Sequence, residues 1–250
     1  MIDSVGNVSA LLAVGPNNPL VLATIDRLTG PRLKQAVLLD YDQSRLARAA
    51  TRVQEFGVPD VIAEQYEPDS PIRQASLVSS AFDRRDIDVA IMGLTPAPTD
   101  HATTAATAPT SEESIQVLRS TLIDSLTFAE AALSSLTQQG HGILVVFSHS
   151  ALSSAPGADR SYCAAMAGLG TLVSSLAERA EGTGVRVISV RIAPTADPSA
   201  TDEEHNSAWV RPADVASAIA AEVRTTRRNM RNTTLTLPKT WRRMMPSQRN

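Results

Sequence analysis

Short apolar runs alternate along the chain with longer segments whose apolar residues recur at helical spacing. The runs are rich in valine, isoleucine and leucine, which is typical of strands that are buried on both faces. We predict strands over residues 9–14, 35–39, 60–63, 88–92, 143–147, 185–191 and 233–237. Between them we predict helices over residues 20–28, 42–56, 72–82, 112–138, 161–180 and 212–227. This alternation predicts an α/β fold, a doubly wound parallel sheet of about seven strands with helices on both faces.

The chain has the length and composition of a single domain. Its 250 residues suffice to bury one full core, 43% of them are hydrophobic, and the net charge is −3. Neither an internal repeat nor a linker divides the sequence, so we assign residues 1–237 to one domain. A single cysteine excludes an internal disulfide, and no apolar run approaches the roughly 20 residues needed to span a bilayer. We therefore expect a cytoplasmic protein.

Two segments stand outside the alternating pattern. Residues 95–111 are rich in threonine, alanine and proline, and we expect either a tolerated surface insertion or a lid over the carboxyl ends of the strands. Residues 224–250 carry eight basic side chains and no acidic one. Their last part, the C-terminal tail 238–250, mixes apolar and basic residues. It is expected either to contact the inner face of a membrane peripherally or to remain solvated. No motif that reads nucleic acid accompanies the basic charge, so we expect no nucleic-acid partner.

Polar residues gather where the fifth predicted strand ends. Ser148, His149 and Ser150 directly follow the apolar run 143–147, and Tyr162 lies at the start of the next predicted helix. The carboxyl ends of parallel strands are where an open α/β sheet builds a binding site. The three other histidines are scattered without metal-ligand spacing, so we predict no metal site.

The spacing around Tyr162 resembles that of the short-chain dehydrogenase/reductase family, whose fold is a Rossmann-like doubly wound sheet. In that family a serine stands thirteen residues before the tyrosine, a lysine stands four residues after it, and an asparagine lies in the preceding long helix. These positions hold His149, Met166 and Thr121 here. The resemblance implies that Tyr162 is the acid that protonates the substrate oxygen. A thioether at Met166 has neither the charge nor the N–H of a lysine, so the tyrosine lacks the cation that would lower its pKa.

The turn after the first predicted strand bears on the cofactor. The family spaces three glycines as Gly-x-x-x-Gly-x-Gly to cradle a dinucleotide pyrophosphate, and these positions hold Gly15, Pro19 and Val21. Pro19 lacks an N–H, and Val21 places a branched side chain where close backbone approach is needed. Gly15 is therefore either a phosphate contact or a turn residue. After its fourth strand the family carries Asn-Asn-Ala-Gly, where this chain has residues 92–95, Met-Gly-Leu-Thr.

Asp40, at the end of the second predicted strand, has two interpretations. An acidic residue there accepts hydrogen bonds from a ribose hydroxyl and favours NAD over NADP. The same residue type also caps the start of a helix, here the one predicted from residue 42. We therefore expect either NAD or no cofactor.

These departures favour a catalytically inactive scaffold or regulatory member of the family. The family forms its oligomers through the two long helices, here 112–138 and 161–180. A degenerate subunit would pair through them with itself or with an active relative. In this hypothesis His149 only satisfies loop backbone.

The alternative hypothesis is an NAD(P)-dependent oxidoreductase that acts on a keto group with rearranged residues. Tyr162 would be the acid, paired with His149 in proton transfer, with His149 or Ser148 as the carbonyl donor and Asp40 holding NAD. Three short stretches resemble one subgroup, the decaprenylphosphoryl-2-keto-ribose reductases, which implies a lipid-linked sugar substrate and a role in cell-wall synthesis. These stretches are residues 5–7, 211–216 and 241–245.

Overall fold

Strands and helices alternate through the part of the chain that the computed structural model describes, residues 7–68, 70–93, 110–149, 160–192, 211–225 and 232–237. The strands are β1 (Ala10–Val14), β2 (Gln35–Asp40), β3 (Asp60–Gln65), β4 (Val89–Met92), β5 (Gly142–His149), β6 (Val185–Ile192) and β7 (Thr233–Leu237). The helices are α1 (Pro19–Leu28), α2 (Gln43–Glu55), α3 (Pro71–Arg84), α4 (Ser111–Leu118), α5 (Asp124–Gln139), α6 (Arg160–Ala180) and α7 (Pro212–Arg224). The C-terminal tail 238–250 and nearly all of the segment 95–111 lie outside the described residues, and so do the membrane contact and the lid predicted for them.

All neighbouring strands pair in parallel, in the order β3-β2-β1-β4-β5-β6-β7. The chain winds outward from β1 to β3, then crosses back to β4 and winds outward in the other direction. The strand order therefore reverses between β1 and β4, and a doubly wound sheet places its ligand crevice at this switch point, beyond the carboxyl ends of the strands. The predicted fold class is confirmed.

Helices cover both faces of the sheet because the strands are apolar on both sides. Every residue of β1, β2 and β4 is buried. One hydrophobic cluster joins the sheet to α1, α2 and α7, and a second joins its other face to α3, α4, α5 and α6. No helix in the described ranges is long and apolar enough to cross a membrane.

The long helix predicted over residues 112–138 differs from expectation at its centre. It begins with a capping box between Thr110 and Glu113 and ends at Gly140, whose φ of +77° suits the left-handed conformation of a helix end. Between α4 and α5, the segment Arg119–Ile123 forms a π-helical turn. Such a turn inserts an extra residue into the helix and often marks a functional position.

A buried ion pair secures the far edge of the sheet. Arg186 on β6 pairs with the carboxylate of Glu222 on α7, and the two side chains are 5% and 12% exposed. The guanidinium also donates to the backbone carbonyl of Glu222 at 2.8 Å and to Oγ1 of Thr233 on β7 at 3.0 Å. Burial lowers the pKa of Arg186, and its partners on two neighbouring elements compensate for the lost hydration.

Candidate functional site

The end of β5 and the start of α6 hold the three predicted catalytic residues. Ser148 is the penultimate residue of β5 and is buried. His149 is the last residue of β5, with its backbone in register with Ile192 of β6, and its side chain lies outside the described part of the chain. Tyr162 is the third residue of α6. The expected strand-end and helix-start positions are thus present.

Tyr162 and Met166 lie one helical turn apart on the buried side of α6. Each is 4% exposed, and both belong to the hydrophobic cluster between the sheet and α3 to α6. Burial raises the pKa of the Tyr162 phenol above its ordinary value, and the neighbouring Cys163 thiol raises it further. Both causes oppose ionisation, whereas a lysine ammonium at position 166 would favour it.

Thr121, which corresponds to the asparagine of the family pattern, lies within the π-helical turn. It is fully buried, and its Oγ1 has no hydrogen-bond partner among the described residues. The turn packs against α6 near Gly168, where an added β-carbon would lie 3.1 Å from Leu122. The π-helical turn therefore faces α6, the helix that carries Tyr162 and Met166, and the turn and the helix meet at an apolar contact.

Gly15 makes the turn out of β1. Its φ is +68°, a conformation that other residues rarely adopt. Its N–H donates to the carbonyl of Leu39 at 2.9 Å, and its carbonyl accepts the N–H of Asn18 at 3.1 Å. The turn geometry alone is therefore a sufficient reason for a glycine here.

The N-terminus of α1 is capped by the chain itself. Pro19 occupies the first helical position, and Oδ1 of Asn18 accepts the N–H of Leu20 at 2.9 Å. The amide Nδ2 of Asn18 donates to the carbonyl of Gly93, directly after β4, at 3.3 Å. One side chain thus bridges α1 and the end of β4.

Val21 and Gly93 fit each other closely. Val21 is fully buried, and a β-carbon at position 93 would overlap its Cγ2. The N–H of Gly93 donates to the carbonyl of Val14 at 3.0 Å, which fixes the strand end against β1. The valine side chain therefore occupies the space that any larger residue at position 93 would need.

Asp40 ends β2 and is 5% exposed. One carboxylate oxygen accepts the N–H of Asp42 at 3.1 Å, and Asp42 is itself the cap of α2, accepting the N–H of Arg45 at 2.8 Å. Burial raises the pKa of Asp40 above its ordinary value, although the hydrogen bond from Asp42 opposes that shift. The carboxylate supports the turn that leads into α2.

A family model described as enoyl-(acyl carrier protein) reductase matches residues 35–248 of the chain. The chain belongs to the short-chain dehydrogenase/reductase family. An "uncharacterized oxidoreductase in mprA 5′ region" of Streptomyces coelicolor is 29% identical over 224 residues, which are 89% of this chain and 86% of that protein.

Solved structures of this family share the fold. A short chain dehydrogenase from Mycobacterium smegmatis superposes with a TM-score of 0.74 at 21% identity, over 99% of this chain and 95% of that chain. A 3-oxoacyl-(acyl-carrier protein) reductase from Brucella melitensis superposes with a TM-score of 0.75 at 15% identity, over 92% and 95%. At these identities the likeness concerns the fold.

The family's nicotinamide dinucleotide does not fit the residues at the switch point. A pyrophosphate needs free N–H groups at the helix N-terminus and glycines that permit its approach. Here the N–H of Leu20 is taken by Asn18, Pro19 has none, and Val21 fills the contact with Gly93. The sequence patterns did not single out Asn18, and they included Gly93 only as part of residues 92–95. The one available signal was the polar residue before Pro19, a common helix start.

The described residues provide no metal centre either. In these ranges no three His, Cys, Asp or Glu side chains lie close enough together to hold a metal ion.

Proposed function

We propose that this short-chain dehydrogenase/reductase does not transfer hydride and serves as a scaffold or regulatory subunit. The observation that carries the proposal is Met166, a buried thioether one turn after Tyr162, at the position of the family's lysine. A thioether has no charge and no N–H to donate. Position 166 therefore supplies no ammonium group to stabilise a Tyr162 phenolate.

The electrostatics of Tyr162 support the same conclusion. A proton donor works best when its pKa lies near the working pH, and an ordinary phenol titrates near pH 10. Burial and Cys163 move the pKa of Tyr162 further upward. We therefore expect this phenol to stay protonated throughout the physiological range, which disfavours an acid–base cycle.

The proposed scaffold role uses apolar side chains on α4, the π-helical turn and α6. Ile115 on α4 is 53% exposed and Ile123 in the turn is 43% exposed, while Leu122 in the turn and Leu172 on α6 are half-buried. We call these four side chains the isoleucine face; they lie on the segments through which the family forms oligomers. A second copy of this chain, or an active relative, would cover it.

A reductase with rearranged residues is the second candidate. Ser148 at the end of β5 favours it, because a hydroxyl stands one position from the family's serine and precedes Tyr162 by fourteen residues. In this alternative Tyr162 is the acid, His149 or Ser148 orients a keto group, and Asp40 holds NAD. The terminal stretches that resemble decaprenylphosphoryl-2-keto-ribose reductases would then suggest a lipid-linked sugar substrate and a role in cell-wall synthesis.

The proton affinity of Tyr162 separates the two candidates without any substrate. Tyrosinate absorbance is followed against pH for the wild type and for Tyr162→Phe, and the difference isolates this phenol from Tyr41 and Tyr66. We expect Tyr162 to titrate above about pH 10, because burial favours the neutral form. A pKa at or below about 8 would overturn the proposal, since it would mean that another group supplies the missing cation. Met166→Lys is the matched variant and is expected to lower the pKa.

The isoleucine face is tested by oligomeric state. Light scattering compares the wild type with Ile123→Glu, which places a charge within the proposed contact. Ile72→Glu is the control, because Ile72 is 83% exposed and belongs to α3 instead of the isoleucine face. We expect Ile123→Glu to reduce the oligomer size and Ile72→Glu to leave it unchanged. A wild-type protein that is monomeric by itself, and remains monomeric when mixed with active relatives, would contradict the scaffold role.

A further inference from the structure

The end of β4 and the N-terminus of α1 are joined by one side-chain amide. Oδ1 of Asn18 accepts the N–H of Leu20 at 2.9 Å, while Nδ2 donates to the carbonyl of Gly93 at 3.3 Å. A helix cap requires only the first of these bonds. The second reaches a residue 75 positions away in sequence and places the amide across the switch point of the sheet.

An independent contact holds the same two elements together. Val21, on the first turn of α1, is fully buried, and its Cγ2 fills the space of a β-carbon at position 93. The family pattern has glycine at position 21 and asparagine at position 93. In the family pattern the larger side chain stands at position 93, directly after β4, and faces a glycine on α1. In this chain the larger side chain is Val21 on α1, and it faces Gly93, so the two substitutions compensate each other sterically.

We propose that Asn18 and the Val21–Gly93 contact block the phosphate cradle, the turn at positions 15–21 where the family binds a pyrophosphate. The amide oxygen takes the helix N–H that would otherwise bind an anionic oxygen, and the valine packs α1 against the end of β4. The crevice between β1 and β4 therefore rejects the pyrophosphate of a dinucleotide. This inference stands whether or not Tyr162 supports catalysis, because it concerns a different part of the fold.

The experiment is calorimetric titration with NADH and, separately, with inorganic pyrophosphate. The proteins are the wild type, Asn18→Gly and the double variant Asn18→Gly/Val21→Gly, in which the N–H of Leu20 is free and glycines permit close approach. We expect no saturable binding by the wild type at millimolar ligand. The double variant is expected to bind at least one ligand at least about tenfold more tightly, the gain expected from one hydrogen bond to a charged group.

The matched control is Val53→Gly, which makes the same change at a fully buried position of α2. It loosens a helix without opening the cradle, so its ligand binding is expected to equal that of the wild type. A double variant that does not fold, as judged by circular dichroism, is replaced by Asn18→Gly/Val21→Ala. Glycine at position 18 leaves the N–H of Leu20 free, and alanine at position 21 favours helix more than glycine does.

Two results would overturn the inference. One is micromolar binding of NADH or pyrophosphate by the wild type, and the other is a folded double variant that binds neither ligand better than the wild type. The pH titration of Tyr162 needs no cofactor, so the proposed function and this inference can fail separately. A wild type that binds NADH while Tyr162 still titrates above about pH 10 would refute the occupied cradle and leave the proposed function standing.

Discussion

A methyl group at position 93 has no space in the folded protein. Its carbon would overlap Cγ2 of Val21 and would lie 3.5 Å from the carbonyl oxygen of Val14. Neither atom can withdraw easily, because Val21 is fully buried and Val14 belongs to β1. Overpacking in a core costs about 1–3 kcal/mol, so we expect Gly93→Ala to lower the free energy of unfolding by about 2 kcal/mol. For a chain of this length the corresponding fall in Tm is about 4–8 °C.

Shortening Val21 should remove most of this penalty. Val21→Ala deletes both γ-carbons and is expected to cost about 2 kcal/mol by itself, because two buried methyl groups lose their contacts. In Gly93→Ala/Val21→Ala the new methyl group enters the space that the valine has left. The double variant is therefore expected to be about as stable as Val21→Ala alone, which gives a coupling energy of about 2 kcal/mol. Urea unfolding followed by circular dichroism measures all four proteins.

Gly170→Ala is the matched control for this cycle. A β-carbon at Gly170 meets nothing within 4 Å, and the residue lies inside α6. Alanine there is expected to stabilise the protein by up to about 1 kcal/mol, since it favours helix more than glycine does. The steric reasoning is refuted if Gly93→Ala is as harmless as Gly170→Ala. It is also refuted if Gly93→Ala lowers the free energy of unfolding by the same amount with valine and with alanine at position 21.

Two further predictions concern buried charge. Glu222→Ala leaves the guanidinium of Arg186 buried without its carboxylate and is expected to lower the free energy of unfolding by about 3 kcal/mol or more. Arg186→Met/Glu222→Leu removes both charges and should lower it much less. Urea unfolding measures both variants, and equal losses of stability would contradict this account. Burial raises the pKa of Asp40, so its ionisation weakens the fold near neutral pH, and this effect disappears below about pH 4. The urea midpoint of Asp40→Asn is therefore expected to exceed that of the wild type near neutral pH and to equal it below about pH 4. A variant that is less stable than the wild type at neutral pH would contradict this, because it would show that the fold needs the carboxylate.

The fold could be predicted from the sequence because its signals are local. Each strand is a short apolar run, and a segment with helical spacing lies between each run and the next, so element type and order follow from neighbouring residues. The π-helical turn Arg119–Ile123 was not predicted, because apolar spacing continues through it without interruption. The burial of Arg186 inside a strand was also missed, since its partner Glu222 lies 36 residues further along the chain.

The candidate site was predictable only in part. The positions of Tyr162 and Met166 follow from spacing within one helix, and the structure places both on its buried side. The bridge from Asn18 to Gly93 joins residues that are distant in sequence, and no pattern within α1 reveals it. A local analysis identifies Val21 as an obstacle to a phosphate. Its role as the partner of Gly93 emerges only when β4 and α1 are placed side by side.

The most direct test of the central claim, a reductase fold without its hydride carrier, is calorimetric titration of the wild-type protein with NADH, NADPH, NAD and NADP. The account predicts no saturable binding of any of the four up to millimolar concentration, because Asn18 and Val21 occupy the place of the pyrophosphate. Micromolar dissociation constants for any one of them would contradict the account. They would show that the chain binds the hydride carrier of its family, and Tyr162→Phe would then be the next variant to assay.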